Sequence, residues 1–157
     1  MPLEDFITAA EVILKSSAAP WPADRYKPEL FRAMAALVQT RVAVMAEVCA
    51  LVDFLFLAEP PIDDAAFAKS FGADFAVPTL IEIAAAFETV EWNAESLKVA
   101  VETVGTKHDV KLGKLQGPLR IAISGRSVGP PLFEPIELLG REESLRRIKS
   151  ALARAQG

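Results

Sequence analysis

The sequence predicts an all-α protein, and three observations lead there. Alanine-rich stretches carry apolar residues every three or four positions through most of the 157 residues. Capping and stop residues stand at the borders of those stretches. No segment alternates convincingly as a strand. Residues 119–124 (Leu-Arg-Ile-Ala-Ile-Ser) have β-branched content, but a lone strand could not satisfy its backbone, so they too are read as helix, started by Pro118 and stopped by Gly125.

The elements follow in order. Residues 3–16 place Phe6, Ile7, Ala10, Val12, Ile13 and Leu14 near helical spacing. Pro20-Trp21-Pro22 stops that helix, and Pro28 suits the first turn of the next. Residues 29–57 hold no glycine or proline and read as one long helix, or as two with a break near Gln39-Thr40-Arg41. Glu59-Pro60-Pro61 is the subdomain boundary, giving a two-part helical bundle of residues 1–60 and 61–157. Asp63 caps a short helix that Gly72 stops, and Pro78 starts another. Asn93 caps a helix whose Trp92 staples onto Leu97, with its end placed at Gly105. A short helix ends at Gly140, and residues 142–155 form a final amphipathic helix with Leu145, Ile148 and Leu152 inward.

Composition limits the function. Hydrophobic residues are 52% and charged residues 24%, so a sizeable core is available in a soluble chain. No apolar run reaches the ~18 residues that a membrane span needs. Met-Pro-Leu-Glu-Asp lacks the layout of a signal peptide, so a cytoplasmic protein is expected. The single cysteine, Cys49, excludes an internal disulfide or a multi-cysteine zinc site and reads as a buried structural thiol. The only histidine, His108, reads as an exposed turn residue. There is no P-loop and no nucleophile, base and orienter set, so neither a catalytic residue nor a metal site is expected.

Net charge is −4, which argues against non-specific coating of DNA. The charges are segregated along the chain. Residues 61–95 carry seven acids and one base, residues 105–126 five bases and one acid, and residues 141–157 five bases and two acids. Residues 111–140 stand apart, with five of the eight glycines and four of the eleven prolines. Turn-rich backbone holding Lys111, Lys114, Arg120 and Arg126 suits a surface that grips phosphates and bases. Lys111, Lys114 and Arg126 are candidates for the phosphate backbone. Arg120 can bind a base edge or stack on a base, or instead form a salt bridge. Pro130-Pro131-Leu132-Phe133 is either a rigid ledge for unstacked bases or packing beneath a loop. Arg41, flanked by apolar residues, calls for a directed role or a buried partner.

The ordered string Lys-x-Gly-Lys, Gly-Pro-Leu-Arg-Ile-Ala-Ile-Ser-Gly, Pro-Pro-Leu-Phe-Glu and Leu-Leu-Gly-Arg-Glu-Glu-Ser-Leu-Arg-Arg-Ile resembles the C-terminal anticodon-binding region of bacterial glutamyl-tRNA synthetases. Residues 37–56 are similar to that region's first helices. The resemblance implies an all-α cage in two anticodon-binding parts, recognising the anticodon loop of glutamate tRNA in protein synthesis. It implies that Arg41 reads the third anticodon base and that Arg120 and Leu132 contact the anticodon. Gly129 stands where some members carry a base-contacting threonine; without a hydroxyl, that contact is main-chain here or absent. The catalytic motifs of this ligase family (His-Ile-Gly-His-like and Lys-Met-Ser-Lys-Ser-like) have no counterpart. An excised or natural fragment is therefore expected, monomeric, inactive alone and lacking cofactors. ATP and magnesium would belong to the parent, and its missing catalytic domain would be a partner beside glutamate tRNA. The rival reading is an α-helical protein-interaction domain that binds a basic partner through its acidic face.

Overall fold

Eleven short helical segments follow one another in a computed structural model that describes residues 1–127 and 131–156. Nine are α-helices, two are 3-10 turns, and no strand occurs among the described residues. The chain divides into two compact units, Met1–Pro60 and Pro61–Gly157.

The first unit holds α1 (Leu3–Leu14), α2 (Pro28–Gln39) and α3 (Val48–Phe56), with 3-10 turns at Ala23–Arg25 and Met45–Glu47. Pro28 occupies the first turn of α2, where its missing N–H costs no bond. Phe6 and Ile7 of α1, Phe31 and Met34 of α2, and Val52 and Phe56 of α3 are buried. The segment joining α1 to α2 acts as a clasp. The Trp21 indole N–H donates to the Leu14 carbonyl at 3.2 Å, and Arg25 Nε donates to the Phe56 carbonyl at 2.8 Å. Each satisfies a carbonyl at a helix end that no helical N–H can reach. The Trp21 and Tyr26 rings both lie 5.0 Å from Phe56. Burial and the Glu11 carboxylate push the Tyr26 phenol well above its ordinary value.

The apolar run 29–57 divides in two, as one of the two sequence readings has it. The break spans residues 40–47, wider than three residues. Thr40 Oγ1 donates to the Leu37 carbonyl, and the Glu47 carboxylate accepts the N–H groups of Ala43 and Val44. These side chains satisfy backbone that a continuous helix would have paired itself.

The second unit holds α4 (Asp64–Phe71), α5 (Ala76–Phe87), α6 (Ala94–His108), α7 (Leu112–Ser124), α8 (Phe133–Leu139) and α9 (Arg141–Gln156). α5 packs on α6, α7 and α9; α7 also packs on α4 and α9. Leu80, Ile83, Phe87, Leu97, Leu115, Leu119, Ile136 and Ile148 fill the core. Asp63 and Asn93 cap α4 and α6 by accepting N–H bonds from Ala66 and Ser96.

Three sequence expectations are corrected here. α5 begins at Ala76, two residues before Pro78. α6 continues through Gly105 to His108 and ends in a Schellman turn. Asp109 is left-handed at φ 56°, and the Val110 N–H donates to the Gly105 carbonyl at 2.8 Å. Gly105 is there for clearance: a Cβ on it would lie 2.5 Å from the Val110 oxygen and 2.9 Å from Leu115 Cδ1. α7 starts at Leu112, so Pro118 lies inside it and Leu112–Ser124 is helix, not a turn-rich surface. Pro118 removes the donor for the Lys114 carbonyl. Gly117 before it has no Cβ to crowd the proline ring. Burial of Leu115, Leu119, Ile121 and Ile123 holds the helix through that defect.

α7 ends at Gly125, left-handed at φ 80°, where a Cβ would meet the Pro61 oxygen at 2.2 Å. Gly113, in contrast, faces open space within the same helix. Gly125→Ala should therefore destabilise the second unit by ~2–4 kcal/mol in urea unfolding, and Gly113→Ala should stabilise it by up to ~1 kcal/mol. Equal effects at the two positions would contradict this assignment.

Candidate nucleic-acid interface

The basic residues singled out in the sequence lie along α7 and just beyond it. A cleft of about 820 Å³ opens at the start of α7, lined by Glu102 and Thr106 of α6, Asp109, Lys111 and Lys114, with Phe75 on its wall. Both lysines are exposed. The Lys111 carbonyl accepts N–H bonds from Lys114 and Leu115, and no acid lies in the first turn of α7. Ammonium groups and the positive end of a helix dipole thus share one surface, as an anionic backbone requires.

Arg120 sits half-buried in α7, one turn before Ser124 at its end. Its carbonyl accepts the Ser124 hydroxyl at 3.0 Å, and Ser124 Oγ also lies 3.4 Å from the Arg126 N–H. Gly125 turns the chain, and its carbonyl accepts the Asp63 N–H at 2.8 Å. Arg126 follows, half-buried. The helix therefore bears Lys114 and Arg120, with Lys111 just before its start and Arg126 just past its end.

Leu132 and Phe133 are buried, at 4% and 7% exposure. The ledge turns its apolar side chains inward, which is the packing alternative of the sequence reading. Gly129 and Pro130 lie outside the described residues. Arg41 belongs to the first unit. It is exposed just past α2, with Nη1 3.5 Å from both the Leu37 carbonyl and Thr40 Oγ1. It has neither burial nor a carboxylate partner among the described residues. Of the two sequence readings, a directed role or a buried partner, the second finds no such partner among the described residues, and the side chain is exposed.

The segregated charges meet in space. Glu82 of the acidic stretch accepts from Lys107 at 2.8 Å and lies 2.9 Å from His108 Nε2. Hydrogen bonds from Lys107 and then His108 lower the Glu82 carboxyl below its ordinary value. His108 thus lies in the last turn of α6 within hydrogen-bond distance of Glu82, where the sequence suggested an exposed turn histidine. Glu88 pairs with Lys149, and Asp64 pairs with Arg154. The acidic stretch is partly neutralised within the unit, which weakens it as a docking face for a basic partner. Cys49 on α3 is half-buried, and burial, then Asp53, raises its thiol.

Two groups of residues escaped the sequence reading. Arg141 donates to the Phe87 and Val90 carbonyls at the end of α5 and stacks 5.3 Å from the Trp92 ring. Trp92 itself packs edge-on against Phe87 and donates to the Glu137 carbonyl. Arg147 of α9 is buried at 5% exposure; its Nε bonds Glu143 at 2.9 Å and its Nη1 donates to the Ile123 carbonyl at 2.7 Å. The i,i+4 spacing of Glu143 and Arg147 beside Ile148 and Ala151 was the available signal.

Hydrogen bonds from Arg146 and then Arg147 hold the Glu143 carboxyl at about 2 against desolvation, from 4.5. Its folded value lies below its unfolded one, so its contribution is complete above pH 4.5 and is lost as pH falls through about 2. Glu143→Gln should lower stability near neutral pH, and its deficit should shrink between pH 4.5 and 2 in urea melts. A deficit independent of pH across that window would overturn the ion-pair account.

A family model described as anticodon binding domain matches residues 6–152 of the chain. The chain is 46% identical over 153 residues to a glutamate–tRNA ligase of Frankia casuarinae, covering 98% of this chain and 32% of that protein. A glutamate–tRNA ligase of Thermobifida fusca is 41% identical over 150 residues, covering 94% and 31%. The chain spans about a third of the length of these relatives. Its fold matches a solved glutamate tRNA ligase from Elizabethkingia meningosepticum with a TM-score of 0.80 at 21% identity, over 98% of this chain and 29% of that one.

Proposed function

We propose, for a chain that belongs to the anticodon binding domain family, that it grips the anticodon loop of a glutamate-type tRNA on behalf of a glutamate–tRNA ligase. The observation that carries this reading is the family match across both units, residues 6–152. Glutamate–tRNA ligases are the relatives at 41% and 46% identity, which supports glutamate as the tRNA type.

The division of labour follows from the side chains. Lys111 and Lys114, at the open start of α7, hold phosphates without regard to sequence, and Arg126 extends that grip. Arg120 offers a planar fork from a half-buried and therefore restrained position. Arg41, exposed and without a carboxylate partner among the described residues, is open for the third anticodon base. A base that matches that fork supports rejection of glutamine tRNA. Leu132 is the member of this set that the geometry supports least. Buried at 4% exposure, it serves by holding the following helix start in place. Gly129, with no side chain, would contribute main chain or nothing.

Binding here would set the acceptor end of the tRNA at a catalytic site in another part of the ligase, where ATP and magnesium act. The chain itself would hold neither and catalyse nothing. The setting is the cytoplasm, and the chain works as a monomer. The rival protein-docking reading has less support, because Glu82, Glu88 and Asp64 are already paired.

Titration with glutamate- and glutamine-type anticodon stem-loops at two salt concentrations tests this. The glutamate loop should bind more tightly, and added salt should weaken both. Arg41→Ala or Arg120→Ala should each cost ~1–3 kcal/mol and loosen base preference, while Lys114→Ala should weaken all loops alike and lower the salt slope by about 1. If third-position preference survives Arg41→Ala, that residue is not the reader. If no loop binds at either salt concentration, the anticodon reading fails for this chain.

A further inference from the structure

We infer that Arg147 is a positioning residue for the RNA-reading end of α7, fixing through the Ile123 carbonyl the turn that carries Arg120 and Arg126. The inference rests on the anticodon reading above.

Arginine is rarely buried, and Arg147 reaches only 5% exposure. Its guanidinium spans two helices: Nε holds Glu143 on α9, and Nη1 donates 2.7 Å to the Ile123 carbonyl at the end of α7. The Gly125 N–H closes the ladder on the Ile121 carbonyl, and the Ile123 carbonyl lies beyond it, where the left-handed turn at Gly125 ends the helix. A cation there also complements the negative end of the helix dipole. The same turn is tied twice more. Ser124 Oγ donates to the Arg120 carbonyl, and Asp63 N–H donates to the Gly125 carbonyl. The residues between Arg120 and Arg126 are thus held from α9, from the segment before α4 and from within.

Removing Arg147 alone leaves the Ile123 carbonyl without this donor and Glu143 with Arg146, so stability falls. The guanidinium also fixes its two acceptors in one orientation. Loss of Arg147 should therefore show in base discrimination as well as in stability.

The test uses the full chain with Arg147→Met and Arg147→Lys, each with and without Arg120→Ala. Binding is measured to the glutamate-type anticodon stem-loop and to the same loop with each anticodon base changed in turn. Amide exchange is followed at Ser124 and Gly125. Arg147→Met should reduce discrimination about fivefold, with nothing further lost when Arg120→Ala is already present, a non-additive coupling. Arg147→Lys, which keeps the charge and a donor, should restore part of the loss. Exchange should quicken at Ser124 and Gly125 while α5 and α6 stay protected. A lowered melting temperature with discrimination intact, or effects that simply add to Arg120→Ala, would overturn the positioning role alone. Arg120→Ala without effect on any loop would overturn the anticodon reading and this inference together. Should Arg147→Met fail to fold, Arg147→Lys and Glu143→Gln carry the comparison. Unchanged discrimination in both would then count against the role.

Discussion

At Gly125 the backbone passes so close to the Pro61 carbonyl that no side chain can stand there. At Gly105 the carbonyl of Val110 and the side chain of Leu115 impose the same restriction on the approach to α7. α7 is therefore gripped at both ends by contacts of backbone on backbone. Between them it buries Leu115, Leu119, Ile121 and Ile123 against its neighbours. The rest of the second unit is arranged around that helix: α4 and α9 lie along it, and α5 packs against it. Side chains that must meet a ligand in fixed geometry are best carried by such a rigid element.

The electrostatics have the same logic. Acids and bases that lie far apart in sequence are neighbours after folding, as Glu82 with Lys107 and Asp64 with Arg154. Such surface pairs contribute little stability individually. Their effect is to cancel charge away from the open cleft, where Lys111 and Lys114 stand beside Glu102 and Asp109. Arg141 and Arg147 are used differently. Both donate to carbonyls at helix ends, so part of the basic tail is structural wiring rather than binding surface.

Much of the fold was legible from local rules. Pro28, Asp63 and Asn93 act as start signals because the chemistry of a helix N-terminus involves only residues three or four apart. The misreadings share a cause: each needed a partner distant in sequence. Pro118 reads locally as a helix start, but the packing of Leu115 draws a further turn onto the helix before it. Gly105 reads as a stop, but its lack of a side chain serves the crossing chain at Val110. His108 reads as an isolated turn residue, because nothing local announces Glu82, 26 positions earlier. The candidate site was legible unevenly. Arg120 lies on a helix as the sequence reading has it, but that helix reaches back to Leu112, so Lys114 lies on it and Lys111 precedes it where a turn-rich surface was expected. Leu132 turns inward, since the burial of an apolar residue depends on the whole core and not on its neighbours in the chain.

Pro118 has a mechanical consequence. With no N–H at that position, the hydrogen-bond ladder of α7 is interrupted one turn after Lys114. At that point the two halves of the helix are joined by packing instead of a hydrogen bond: Leu115 before the gap and Leu119 after it are both buried, so the core, and not the helix's own backbone, holds the joint closed.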